Sequence, residues 1–284
     1  DLIHAHSLFS NGYIAYKLWE KKKIPYIITV RYPDVLTFFK YMIHLRKIGV
    51  KILMHAKAVI FLSPTYQEYT MSYLSKKEQV AIKDKSYIIP NGVDDFWIEN
   101  RVTNAIHKPR PKSVKLLFVG KVNKNKNLEI LIEICKILQK ERYKVLLTVA
   151  GKIEDCNYYK IFKKYSFVNY VGVCNKYELL KLYRENDIFI MLSHKESFGL
   201  VYAEALTQGL PVIYTKGQGF FGQFDENEVG IGVSDKNPRE AIKAIHDILE
   251  NYEEYSQRAI RLCDKFNWNI IVKDLKGIYT RVVF

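Results

Sequence analysis

The sequence predicts an α/β protein of two Rossmann-like domains, and three observations carry that expectation. Short β-rich runs alternate with helix-period segments along the whole chain, the pattern of parallel strands joined by crossover helices. A polar stretch at residues 99–113, holding Pro109 and Pro111, follows the turn Pro90-Asn91-Gly92-Val93 and reads as a linker. With 284 residues, 48% of them hydrophobic and 26% charged, the chain has enough apolar material for two ordinary cores.

Before the linker, strands are expected at residues 2–6, 26–30, 58–62 and 86–89, with helix-period segments at 12–22 and 65–74. After it, strands are expected at 115–119, 145–150, 168–171, 188–192 and 212–214, with helices at 128–140, 176–185 and 199–206. Three helical segments, 238–250, 252–265 and 269–279, close the chain. The domains are therefore set at 1–98 and 114–267, with 99–113 as linker and 268–284 as a helix returning to the first domain. A doubly wound domain normally opens with a strand and a glycine-rich turn. No such turn precedes the first strands here, so the N-terminal domain is expected to be incomplete.

Composition narrows the function classes. No window holds eighteen consecutive apolar residues, and the opening DLIHAHSLFS lacks the pattern of a secretory signal. The four cysteines (Cys135, Cys156, Cys174, Cys263) have neither disulfide-framework nor zinc spacing, which points to a reducing cytoplasm. The formal charge is +14, denser in residues 1–110. Nucleic acid, an anionic membrane surface or a phosphorylated substrate would each account for it, as would a diffusely basic, soluble surface. No nucleic-acid module signature is present, so no nucleic-acid partner is expected. Residues 37–61 interleave Phe38, Phe39, Tyr41, Met42, Leu45 and Ile48 with Lys40, Arg46, Lys47 and Lys51. Such a segment either packs as a core helix or lies on anionic lipid.

The chemistry concentrates in residues 187–213. An apolar strand runs into the loop 193–198 and then into a helix near Gly199. Ligands of open α/β sheets bind beyond the carboxyl ends of the strands, where helix N-termini offer free N–H groups to anions. The amides of Ser197, Phe198, Gly199 and Leu200 are thus placed for a phosphate. Glu196 and Glu204 flank them; carboxylates accept from vicinal hydroxyls, so the pair suits a sugar and a ribose, or is simply one capping and one solvated acid. A second loop follows the strand at 115–119 and carries Gly120, Lys121 and Lys126. Two cations there serve a diphosphate, or form an ordinary surface pair.

Gly120-Lys121 with Lys126, Glu196-Ser197-Phe198-Gly199-Leu200 with Glu204 as an E-x7-E motif, and Ile88–Asp94 (IIPNGVD) resemble the family-four retaining glycosyltransferases of GT-B fold. The resemblance implies two Rossmann-like domains with parallel sheets facing a cleft. It implies a nucleoside-diphosphate sugar as substrate, with no metal and no cofactor. By the resemblance, Lys121 and Lys126 contact the diphosphate, Glu196 lies near the donor sugar and Glu204 binds the ribose. The segment around Val173 supports the base through its backbone. Where many members have a histidine after the second N-terminal strand, this chain has Arg31, whose fork suits an acidic or phosphorylated partner. Arg31 and His6 are expected on the acceptor or sugar side; His4 and His6 are otherwise structural. The family's Gly-Gly-x-x-Glu loop is replaced by residues 217–230, rich in glycine, either for close approach to a ligand or as a flexible turn.

The expected function is metal-independent, retaining transfer of a hexose from a nucleotide sugar to a glycan or lipid-linked acceptor in bacterial surface-polysaccharide synthesis. The expected place is the cytoplasm, at the inner face of the membrane. Other enzymes of the fold, and a nucleotide-sugar-binding module without turnover, are the rival readings. A phosphorylase would need a cofactor lysine site that the sequence does not offer.

Overall fold

The structure, a computed structural model, describes residues 1–104 and 109–283. Two compact units are formed, one from Asp1–Gly92 with Lys265–Phe284, the other from Val93–Asp264.

In the first unit, four parallel strands, β1 (Ile3–Ala5), β2 (Tyr26–Val30), β3 (Ala58–Phe61) and β4 (Ser86–Ile88), lie side by side in chain order. Every residue of β2 and β3 is buried, as central parallel strands covered on both faces must be. Their alternate residues serve two cores. Ile28, Val30, Val59 and Phe61 join Leu8, Tyr16, Ile52 and Tyr66 on one face. Ile27, Ala58 and Ile60 meet Ile278, Leu275 and Tyr279 of the helix Trp268–Val283 on the other. Helix starts follow from local sequence. Ser63 caps Pro64–Met71, whose proline needs no N–H at that position. Ser75 and Glu78 form a capping box for Lys76–Lys83.

The segment 37–61 does not form one core helix before β3. A wide turn spans Asp34–Phe39, a tight one Ile43–Leu45, and the α-helix only Arg46–His55. Met42 departs from helical geometry (φ −96°, ψ 68°), and Phe39 is pulled into the core while Tyr41 and Ile43 stay exposed. Arg46 holds this bend by donating to the carbonyls of Phe39 and Lys40.

The second unit contains six parallel strands: β5 (Ser113–Val119), β6 (Lys144–Ala150), β7 (Val168–Gly172), β8 (Ile188–Met191), β9 (Val212–Thr215) and β10 (Gly230–Val233). Their order is β10-β9-β8-β5-β6-β7. The chain builds outward from β5 to β7, then returns to place β8 on the other side of β5. The gap between the carboxyl ends of β5 and β8 is thus the topological switch point, where such sheets bind ligands.

The change of unit falls at Gly92, earlier than the expected linker at 99–113. Val93 and Trp97 are buried, and Trp97 meets Tyr183 edge-on within the second unit, so the helix Asp95–Glu99 belongs there. Ser113 already opens β5, and residues 105–108 of the expected linker lie outside the described residues. β10 was not expected as a strand: its sequence, Gly-Ile-Gly-Val, has half the side chains of an ordinary strand.

Candidate functional site

At the switch point two loops are stitched together by asparagines. Asn123 accepts from the Lys126 N–H and shapes the short turn Lys124–Lys126. Asn125 donates to the Lys195 carbonyl at 2.8 Å and accepts from the His194 N–H through its own carbonyl at 2.9 Å. Asn127, in left-handed geometry (φ 53°), donates to the carbonyls of Leu192 and Asp235. His194 and Asp235 add a 2.6 Å side-chain bond. The loop after β5 is therefore fixed to those after β8 and β10 by side chains that a search for charges passes over; the alternation of Asn at 123, 125 and 127 was the available signal.

This framework brings Lys126 and Glu196 together. Lys126 Nζ donates to Glu196 Oε2 at 2.5 Å, and the two side chains are only 18% and 11% exposed. The Glu196 N–H donates to the Gln218 side chain, and its carbonyl accepts from Gly219 N–H. Residues 217–230 thus pack on the loop that carries Glu196. At Gly219 a Cβ would lie 2.0 Å from the Ser197 carbonyl oxygen, so that glycine serves close backbone approach.

The helix Leu200–Thr207 begins at Gly199, whose φ of +77° favours glycine and which supplies no side-chain cap. Leading N–H groups of a helix lack intrahelical partners, so this uncapped end beyond β8 is suited to an anion. Ser197 and Leu200 are exposed, whereas the Phe198 side chain is interior, which leaves only its backbone to face a ligand. Glu204 lies one turn further on and is largely buried. Tyr183 donates to its Oε2 at 3.0 Å, and burial pushes its carboxyl up to about 7 against the opposing pull of that bond.

Two expected residues, Lys121 and Val173, stand apart from the Lys126–Glu196 pair, whereas Gly120 lies beside it, a Cβ there falling 3.8 Å from Lys126 Cε. Lys121 is 70% exposed and pairs with Glu154 at 2.9 Å. Gly120 lies at the end of β5, where its carbonyl oxygen would be 1.9 Å from a Cβ on Gly151, so the two loop ends nearly touch. Val173 is 73% exposed just beyond β7, the far edge strand, on the same carboxyl edge of the sheet.

The first unit gathers His4, His6 and Arg31 at the carboxyl ends of β1 and β2. The two imidazoles stack with centroids 4.2 Å apart. His4 is tied by both nitrogens, to Tyr279 Oη at 2.6 Å and Thr29 Oγ1 at 2.7 Å. Burial, then the neighbouring His6 and Arg31, lower its pKa to about 4; His6 is lowered by burial and Arg31. Arg31 donates from Nε to the His6 carbonyl and from Nη1 to Asn91 Oδ1, each at 3.3 Å. Asp34, absent from the sequence expectations, is buried and accepts from the N–H groups of Leu8, Phe9 and Arg31. It joins the loop after β1 to the loop after β2.

Comparison with known proteins fits this geometry. Residues 100–261 match the family described as Glycosyl transferases group 1, and residues 1–95 that described as Glycosyltransferase Family 4. An uncharacterized glycosyltransferase of Methanocaldococcus jannaschii is 27% identical over 246 residues, 79% of this chain and 62% of that protein. A probable sucrose-phosphate synthase of Thermosipho melanesiensis is 28% identical over 250 residues, 83% and 57%. The capsular polysaccharide biosynthesis glycosyltransferase CapM of Staphylococcus aureus is 26% identical over 220 residues, 73% and 57%. The chain thus spans less than two thirds of the length of these relatives. The crystal structure of Anabaena HepE in complex with UDP superposes with a TM-score of 0.76 at 16% identity, covering 99% of this chain and 79% of that one. That likeness is one of fold, the two-domain GT-B-like arrangement of parallel α/β sheets. The chain belongs to the Glycosyl transferases group 1 family.

Proposed function

We propose that this chain transfers a hexose from a nucleoside diphosphate to a glycan or lipid-linked acceptor with retention of configuration, in surface-polysaccharide assembly. The observation that carries the proposal is the half-sequestered Lys126–Glu196 pair at the switch point of the second sheet. A lysine there neutralises charge that develops on the departing diphosphate, and the uncapped helix end at Gly199–Leu200 adds N–H groups to the same task. Glu196, released from the lysine when the diphosphate arrives, accepts from hydroxyls of the donor sugar. Lys121 leaves its solvated pair with Glu154 to reach the diphosphate, and Glu204 accepts from the ribose. The backbone beside Val173 supports the base.

In the transfer the anomeric C–O bond to the diphosphate breaks, the acceptor oxygen bonds to the same face of that carbon, and the acceptor's proton leaves with the diphosphate. Charge is neutralised by lysine and helix end, so the proposed step draws on no metal ion. The similarity to a capsular-polysaccharide enzyme supports the proposed pathway class, and the HepE complex supports a nucleotide as ligand. Among the described residues no helix is long and apolar enough to cross a membrane. Exposed Tyr41 and Ile43 beside Lys40 and Lys47 support peripheral attachment to anionic lipid at the cytoplasmic face.

Release of UDP or GDP from UDP-glucose and GDP-mannose, with and without EDTA, tests the proposal. Wild type is expected to turn over a donor in EDTA, and Glu196→Ala to lose transfer while still binding nucleotide. Nucleotide binding with no turnover by wild type toward any acceptor would favour the binding module instead.

A further inference from the structure

Arg31 is a half-buried cation that forms no ion pair with a carboxylate among the described residues. The nearby acid, Asp34, spends its oxygens on three backbone N–H groups, one of them that of Arg31 itself, and not on the guanidinium. Two of the guanidinium nitrogens are pinned, Nε by the His6 carbonyl and Nη1 by Asn91, while Nη2 has no hydrogen-bond partner among the described residues. Neutral oxygens orient the fork without cancelling its charge. Asp34 acts on the guanidinium through its charge without contacting it, and the histidines beside it add no negative charge: His4 has both ring nitrogens engaged, and the exposed His6 ring stacks on it. Burial and Arg31 hold the His6 pKa down, which favours the neutral ring beside the guanidinium. A partly desolvated, preoriented cation that no carboxylate contacts directly gains from an oxyanion its fork can reach.

We propose that Arg31, with His6 beside it, binds an oxyanion, a phosphate or carboxylate, on the second substrate of the reaction, the one that receives the sugar. The assignment to that substrate rests on the transferase reading, whose diphosphate is held by the other unit; the binding itself does not. The proposal narrows the acceptor to an acidic one, such as a phosphorylated lipid carrier or an acidic glycan.

The test follows the His Cε1–H signals of the full chain by NMR during titration with methyl phosphate, and separately with acetate. His6 is expected to shift saturably with one of the two probes while His44, His55 and His246 do not, and the responding probe tells phosphate from carboxylate. Arg31→Gln is expected to weaken that response about tenfold, whereas Lys126→Ala leaves it unchanged. An unmoved His6 with both probes in wild type, which needs no variant to fold, overturns the inference. So does an equal response in folded Arg31→Gln. UDP binding measured in the same samples reports on the transferase reading independently.

Discussion

At the scale of single residues, the ion pair of Lys126 and Glu196 makes two opposite predictions. Removing the lysine takes a charge-assisted contact from the diphosphate and strands a nearly buried carboxylate, so nucleotide affinity falls. Removing the glutamate frees the lysine, so affinity holds or rises while transfer is lost, a separation of binding from turnover read by calorimetry beside a transfer assay. Glu204 gives a pH prediction. Its folded pKa of about 7 lies above its ordinary value, so its proton stabilises the fold. That contribution is fully present below the ordinary carboxyl range and is lost as pH rises through about 7. Glu204→Gln is expected to flatten the fall in Tm between pH 5.5 and 8 and to raise Tm at pH 8, equivalent to at most about 3 kcal/mol. An unchanged slope in that variant would remove Glu204 as its cause. The sequence singled out Lys126 and Glu196, which the fold brings together, because charged residues in loops after apolar strands stand out; Glu204, inside the helix Leu200–Thr207, was marked by its spacing from Glu196. It left Asn127, Asp34 and Tyr183 unmarked, since their importance lies in hydrogen bonds to carbonyls, N–H groups and a carboxylate far away in the chain.

At the scale of elements, glycines mark where backbones meet. On Gly151 a Cβ would fall 1.9 Å from the Gly120 carbonyl oxygen, and its φ of +134° already disfavours a side chain. Gly151→Ala is expected to cost about 1–3 kcal/mol and to weaken nucleotide binding by displacing the loop that starts at Gly120. A Tm within a degree of wild type would show that the contact relaxes freely. The same rule explains what the sequence hid. On Gly230 a Cβ would sit 1.9 Å from the Val212 carbonyl oxygen, so β10 needs the residue that makes it look unlike a strand. Strands with full apolar runs, such as β2 and β8, and helices with strong periodicity, such as Leu128–Lys140, were readable to within a residue. The bend between Asp34 and His55 was not, because it depends on Phe39 entering the core and on Arg46 reaching back to two carbonyls.

At the scale of the molecule, the chain leaves the first unit at Gly92 and returns to it at Lys265, so the last helix covers one face of the sheet begun at the N-terminus. Ile278 covers Ile27, Ala58 and Ile60, and Ile278→Ala is expected to destabilise the first unit by about 2–4 kcal/mol, detected as earlier loss of the His4–Tyr279 environment on urea titration. The order of strands across the second sheet sets where its topological switch point lies. The central claim is that Lys126 holds the diphosphate of a nucleotide sugar beside Glu196. Calorimetric titration of UDP and GDP into wild type, Lys126→Ala and Glu196→Ala tests it most directly. For whichever nucleotide binds, Lys126→Ala should weaken affinity at least about tenfold and Glu196→Ala should not weaken it; equal affinity in wild type and Lys126→Ala would contradict the account.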